Sequence, residues 1–207
     1  MMSGCRRLFV ATGNKDKLKE IGQKFSELSM EILSPESLDL EFEVEETGST
    51  LAENALIKAR AGAGVSGVLT LADDTGLMVD ALDGEPGVYS ARFAGPQASY
   101  EENNNHLLSR LEGVREENRT ARFVTAAALV DPDTGREHTV RGICRGRILE
   151  KRRGEGGFGY DPLFYLPDLD MTFAELDTES KNEISHRARA LRRVKLLLEQ
   201  NYFDREE

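Results

Sequence analysis

The stretch Arg7-Leu8-Phe9-Val10-Ala11-Thr12-Gly13-Asn14-Lys15-Asp16-Lys17-Leu18 decides the fold. Its first half is apolar enough for a buried strand, and Gly13 breaks that strand. From Asn14 onward Leu18, Ile21, Phe25 and Leu28 fall on one face of a helix, with Lys and Glu on the other. A strand running directly into a helix is the opening of an α/β fold.

Further along, Thr50-Leu51-Ala52-Glu53 has the form of a capping box, and Ala52, Ala55, Leu56, Ala59 and Ala63 continue a helical stripe. Gly62, Gly64 and Gly67 lead into a short strand, Val68–Ala72, which is expected to end in the polar turn Asp73-Asp74-Thr75-Gly76. Arg122–Val130 reads as a strand, Pro132–Gly135 as a turn and Glu137–Leu149 as the hairpin partner. A second capping box, Ser180-Lys181-Asn182-Glu183, is expected to open a last helix with Ile184, Ala188, Leu191, Val194 and Leu198 buried. These elements predict a mixed central sheet with flanking helices.

The 207 residues suit a single domain spanning 1–207, long enough to bury roughly 70% of the unfolded surface. Hydrophobic residues at 39% and charged residues at 31% describe a globule rather than a disordered chain. No apolar run approaches the roughly 20 residues of a membrane span, and Leu8–Ala11 is too short for a signal-peptide core. The net charge of −10 argues against coating nucleic acid, which demands a basic face, yet leaves room for a small phosphorylated ligand. Cys5 and Cys144 are too few for a disulfide framework and read as inert thiols in a reducing compartment, and the three histidines suggest no transition-metal site. Any metal is expected to be a hard cation held by carboxylates.

Four segments can carry chemistry. Thr12-Gly13-Asn14-Lys15-Asp16-Lys17 lies at a strand-to-helix junction, where unpaired N–H groups and the helix dipole favour a phosphate; a plain cap with surface lysines is the bland alternative. Glu45 and Glu46, in an acidic run, together with Asp73 and Asp74 supply carboxylates from two segments, enough for one Mg²⁺ and a water-activating base; a solvated loop is the plain alternative for the glutamates. Gly154–Pro162 is glycine-rich with two aromatics, suited to closing over a flat base or to plugging a core. Finally, Lys181, His186 and Arg187 put cations at a helix start, where they are electrostatically misplaced unless an anion or an electronegative base edge offsets them; a partly exposed basic face is the plain alternative.

Taken in order, these segments resemble the inosine triphosphate pyrophosphatase family, the dITP/XTP (non-standard purine) pyrophosphatases. The resemblance is carried by Thr12-Gly13-Asn14-x-x-Lys17, Glu45-Glu46-Thr47-Gly48, Glu53-Asn54-Ala55-x-x-Lys58-Ala59 and Ala72-Asp73-Asp74-Thr75-Gly76-Leu77. It continues through Gly84-x-Pro86-Gly87-Val88-Tyr89-Ser90-Ala91-Arg92-Phe93-Ala94-Gly95, Gly156-Gly157-Phe158-Gly159-Tyr160-Asp161-Pro162 and Ser185-His186-Arg187-x-x-Ala190-Leu191. It implies two lobes around a substrate cleft, a cytoplasmic homodimer, and Mg²⁺-dependent hydrolysis of ITP, dITP or XTP to the monophosphate and pyrophosphate. By the same resemblance Thr12, Asn14 and Lys17 hold the triphosphate with Lys58 assisting, and Gly13, Lys15 and Asp16 of the same segment count among the substrate-binding residues. Glu45 or Glu46 and Asp74 bind Mg²⁺, with Asp74 also the general base. Thr75 stands where the family commonly has Ser and keeps the hydroxyl. Phe158, Gly159, Tyr160 and Asp161 line the base pocket, and Lys181, His186 and Arg187 read the purine 6-oxo edge. A pyrophosphatase for another modified nucleotide, and a nucleotide-binding sensor without turnover, are the rival readings.

Overall fold

A computed structural model describes residues 6–203, so Cys5 lies outside the described residues. The opening stretch forms strand β1 (Arg6–Val10) and helix α1 (Lys15–Phe25), as its hydrophobic pattern requires. There follow β2 (Met30–Leu33), α2 (Leu51–Ser66), β3 (Thr70–Val79), α3 (Tyr100–Arg110), β4 (Thr120–Val130) and β5 (Glu137–Ile148). The short strands β6 (Phe164–Leu166) and β7 (Met171–Thr172) and the helices α4 (Thr178–Ile184) and α5 (His186–Leu198) complete the fold. The seven strands form one sheet in the order β2-β1-β3-β4-β5-β6-β7. It is mixed: β1 runs parallel to β2 and β3, pairing Phe9 with Leu33 and Val10 with Leu71. At the other end β6 runs antiparallel to β5 and β7, pairing Arg147 with Tyr165 and Leu166 with Met171. The class is α/β with flanking helices.

The chain divides into two compact units. The first takes the described residues up to Asp74, Thr125–Gly142 and the chain from Ala188; the second takes Thr75–Val124 and Ile143–Arg187. In the first, Ile21 and Phe25 of α1 and Leu191, Val194 and Leu198 of α5 pack with Leu8 and Val10 of β1. In the second, Phe123 lies with its ring centroid 4.7 Å from Phe164 and 5.9 Å from Phe173, in a core shared with Leu77, Val79 and Leu107. Cys144 is buried in the same core.

Three sequence expectations are corrected. The buried face of α2 is Leu51, Asn54, Ala55, Ala59, Gly62 and Ala63, whereas Ala52 and Leu56 are only half-buried. Gly62 is the reason: a Cβ there would lie 2.8 Å from Ala11 Cβ and 2.9 Å from Thr70 Cγ2, so its bareness lets the helix press onto the strands. Gly62 and Gly64 thus belong to the helix, and Gly67 (φ 64°) ends it, its N–H reaching Ala63 O.

Second, β3 does not turn at Asp73. It continues to Val79, because both carboxylates are buried beside lysines and Leu77 and Val79 beyond them are fully buried. Third, the expected last helix is two. Asp177, not Ser180, caps α4, accepting the Ser180 N–H at 2.7 Å, and Ser185 leaves helical geometry (ψ 161°) before α5 begins at His186.

Candidate active site

In the first unit the loop after β1 is shaped by its own short polar side chains. The Asn14 N–H donates to Thr12 Oγ1 (3.2 Å), and Asn14 Oδ1 caps α1 by accepting the Lys17 N–H (3.1 Å). A Cβ placed on Gly13 would meet no atom within 4 Å, so packing does not demand the glycine and the space over the loop is open. Lys17, one turn into α1, points back: its Nζ lies 3.2 Å from Asp73 Oδ2 and 3.4 Å from the Asp73 carbonyl. Lys15 instead pairs with Glu36 (3.4 Å) at the surface, and Asp16 is exposed.

Helix α2 addresses the acidic loop and β3 together. Lys58 Nζ lies 2.8 Å from Glu46 Oε1 and 3.0 Å from Asp74 Oδ1, so one ammonium bridges the two carboxylates. Glu45 is exposed, and its neighbour Glu46 makes the contact. Upstream, the predicted capping box forms: Thr50 Oγ1 accepts the Glu53 N–H, and Glu53 Oε2 accepts from the Ser49 and Thr50 N–H groups. Asn54, fully buried, accepts the Gly48 N–H at 2.8 Å and faces Asp74 Oδ2 at 3.5 Å.

Burial, countered by Lys58 and reinforced by Glu46, pushes the Asp74 carboxyl above the ordinary aspartate value. Burial pulls Lys58 down, but Asp74, Asp73 and Glu46 outweigh it and hold the ammonium above its ordinary value. A salt bridge alone would lower Asp74; desolvation dominates because the residue is only 7% exposed and shares Lys58 with a second acid.

Among the described residues no group of three or more His, Cys, Asp or Glu is arranged to hold a metal. Mg²⁺ does not require one, since it is commonly bound by one or two carboxylates plus substrate phosphates and waters. Glu46 and Asp74 are hard oxygen donors already gathered around one cation, the Lys58 ammonium, and so fit the ion.

In the second unit the glycine-rich loop is pinned from below. Asp161 Oδ2 accepts the Phe158 N–H (2.8 Å) and Lys181 Nζ (2.6 Å). Gly157 (φ 72°) is required there, because a Cβ would fall 2.1 Å from that same carboxylate oxygen. Asn104 Nδ2 donates to Gly159 O (2.7 Å), and the Tyr160 hydroxyl donates to Ser90 O (2.9 Å), burial pushing the phenol well above its ordinary value. Above this base the Phe158 ring, half-buried, has Lys181 Nζ 4.6 Å and Arg187 Cζ 5.6 Å from its centroid. Arg187 Nη2 donates to Thr75 Oγ1 at 3.2 Å, and the His186 ring stacks on Phe123 at 4.5 Å. Lys181, His186 and Arg187 are all buried.

The structure therefore assembles Lys17, Glu46, Lys58, Asp73 and Asp74 in one unit, and Thr75, Phe158, Asp161, Lys181 and Arg187 in the other. Lys15, Asp16 and Glu45 stand apart. Sequence reasoning assigned no role to Asn54, Asn104 or Ser90. A buried asparagine at a helix start beside a glycine loop is a signal only once the partner backbone is known.

A family model described as Ham1 family matches residues 8–196. The chain is 50% identical over 200 residues to the dITP/XTP pyrophosphatase of Desulforamulus reducens, covering 97% of this chain and 99% of that one. It is 52% identical over 189 residues to the dITP/XTP pyrophosphatase of Geobacter sulfurreducens, covering 91% and 94%. Among solved structures, the Staphylococcus aureus Ham1 protein superposes with a TM-score of 0.84 at 39% identity, covering 94% of this chain and 99% of that one. With motif, fold and near-complete coverage in agreement, the chain belongs to the Ham1 family.

Proposed function

We propose that the chain is a nucleoside triphosphate pyrophosphatase, cleaving the α–β anhydride of deaminated purine nucleoside triphosphates (dITP, XTP, ITP) to the monophosphate and pyrophosphate. The observation that carries this reading is the Lys58 ammonium bridging Glu46 and Asp74 beside the Lys17–Asp73 pair: cations for a polyphosphate and carboxylates for a metal and a water, in one place. The names of the relatives support the substrate class.

In this mechanism Lys17, the Thr12–Asn14 loop and Lys58 bind the polyphosphate, its charge being met by ammonium groups and N–H donors. Glu46 and Asp74 would hold Mg²⁺, which supplies charge neutralisation at the phosphoryl oxygens. Asp74, its basicity raised by burial, takes one proton from water as the water oxygen bonds to phosphorus and the anhydride oxygen leaves with its electron pair. At the other end of the substrate Phe158 offers a face to the base, and Lys181, His186 and Arg187 offer donors to a 6-oxo group. Adenine presents a donor at that position and offers them no acceptor, a basis for discrimination of roughly 10²-fold or more. Homodimeric assembly and cytoplasmic residence rest on the family resemblance.

The test is pyrophosphate release from dITP, XTP, ITP, GTP and ATP, each with Mg²⁺ and with EDTA. Fast, metal-dependent release from the first three and slow release from ATP is expected. No release from any of them by folded protein would overturn the reading.

A further inference from the structure

Asn54 lies in the first turn of α2, fully buried, and both ends of its amide are engaged. The Gly48 N–H can only donate, so the oxygen of Asn54 must face it, as the 2.8 Å contact shows. That leaves the NH₂ group directed at Asp74 Oδ2, at 3.5 Å, while Lys58 Nζ holds Asp74 Oδ1 at 3.0 Å. Asn54 and Lys58 are one helical turn apart, so both oxygens of the Asp74 carboxylate are addressed from the same face of α2. Gly48, the other partner, follows Glu46 by two residues. It is held so closely that a Cβ on it would lie 2.6 Å from Asn54 Oδ1.

Capping does not explain this arrangement. The Ser49 and Thr50 N–H groups are already satisfied by Glu53, and the Glu53 N–H by Thr50. Asn54 is left with a different task, joining the loop that carries Glu46 to the strand that carries Asp74. We infer that Asn54 is a positioning residue. It fixes the rotation of the Asp74 carboxylate and the place of the Glu46 loop, so that the two acids meet a single cation. The inference rests on the pyrophosphatase reading of Asp74.

Asn54→Leu keeps the size and removes donor and acceptor; Asn54→Asp keeps the acceptor for Gly48 and removes the donor to Asp74. Free Mn²⁺ is titrated by electron paramagnetic resonance without nucleotide, and kcat, KM and thermal midpoints are measured with ITP and ATP. Asn54→Leu is expected to weaken Mn²⁺ binding about tenfold or more and to lower kcat about 10–100-fold, the usual scale for residues that orient ligands. KM for ITP and the ITP-to-ATP ratio stay near wild type. Asn54→Asp is expected to lower kcat without raising KM, and it carries the test alone if the leucine variant does not fold. Wild-type kcat in Asn54→Asp, a loss that only follows the folded fraction, or wild-type Mn²⁺ binding too weak to titrate would each overturn the inference. If the wild-type protein releases no pyrophosphate, the functional reading fails instead; release with unaffected variants sinks the role of Asn54 alone.

Discussion

Arg187 donates from Nη2 to Thr75 Oγ1 at 3.2 Å, and Thr75 is the residue that follows Asp74 along β3. The side chain proposed to read the base is thus hydrogen-bonded to the immediate chain neighbour of the proposed general base. Arg187→Ala is expected to shrink the preference for ITP over ATP by about tenfold or more. Thr75→Ser keeps the hydroxyl and stays within about twofold of wild type, whereas Thr75→Val moves part of the way toward Arg187→Ala. Side-by-side kcat/KM values for the two nucleotides decide this. An unaltered ratio in Arg187→Ala would place base reading elsewhere.

Asp74→Asn removes the proton acceptor while leaving the shape of the side chain. Loss of a positioned base costs about 10²–10⁴ in rate, so kcat with ITP is expected to fall on that scale. The thermal midpoint should hold within a few degrees. The variant loses the ion pair with Lys58 but also the cost of keeping a carboxylate charged under burial. Single-turnover rates and a melting curve on the same preparation separate chemistry from folding, and an unchanged kcat would take Asp74 out of the mechanism.

Two glycines in α2 make opposite predictions for stability. Replacing either with alanine gains about 0.5–1 kcal/mol of helix propensity. At Gly64 a Cβ would meet nothing within 4 Å, so Gly64→Ala is expected to raise the urea midpoint. At Gly62 the new methyl would press on Ala11 and Thr70 at 2.8 and 2.9 Å, and overpacking of about 1–3 kcal/mol outweighs the gain. Gly62→Ala should therefore lower the midpoint. A rise in both would show that α2 can back away from the strands at little cost.

The turn between β4 and β5 should loosen in acid. Burial opposes ionisation of Asp131, but the Thr134 hydroxyl (2.7 Å) and the Asp133 N–H (3.0 Å) hold its carboxyl below the ordinary aspartate value. The folded state therefore binds this proton less tightly than the unfolded chain. The resulting stability is complete above the unfolded value of about 4 and is lost as pH falls through the depressed folded value. Urea unfolding from pH 7 to pH 3 should show the wild-type protein converging on Asp131→Asn at low pH. Parallel curves would assign the acid sensitivity to other groups.

Much of the fold was legible because it is local. The strand and helix around Thr12-Gly13-Asn14 follow from hydrophobic period and an asparagine cap, and the Thr50–Glu53 box closes within one turn, as its residues require. Two of the differences, the buried face of α2 and the length of β3, share one origin, contacts with partners distant in sequence. Hydrophobic spacing misplaces the buried face of α2 because Gly62 counts as a packing residue only when Ala11 and Thr70 are opposite it. The same spacing runs the last two helices together because the cap at Asp177 and the break at Ser185 are conformational features it does not register.

The candidate site divides the same way. Residue types and motif order, from Thr12 to Arg187, were determined by the sequence, since a phosphate needs cations and N–H groups and a hard metal needs carboxylates whatever the fold. Tertiary structure decided that Asp73 and Asp74 lie inside β3 rather than in a turn, that Glu46 and not Glu45 reaches Lys58, and that Asn54 joins the two acidic segments. The reason is electrostatic. A buried carboxylate persists in a strand only where a cation is brought to it, and here those cations arrive from Lys17 and Lys58, on helices that the sequence places far from Asp73 and Asp74.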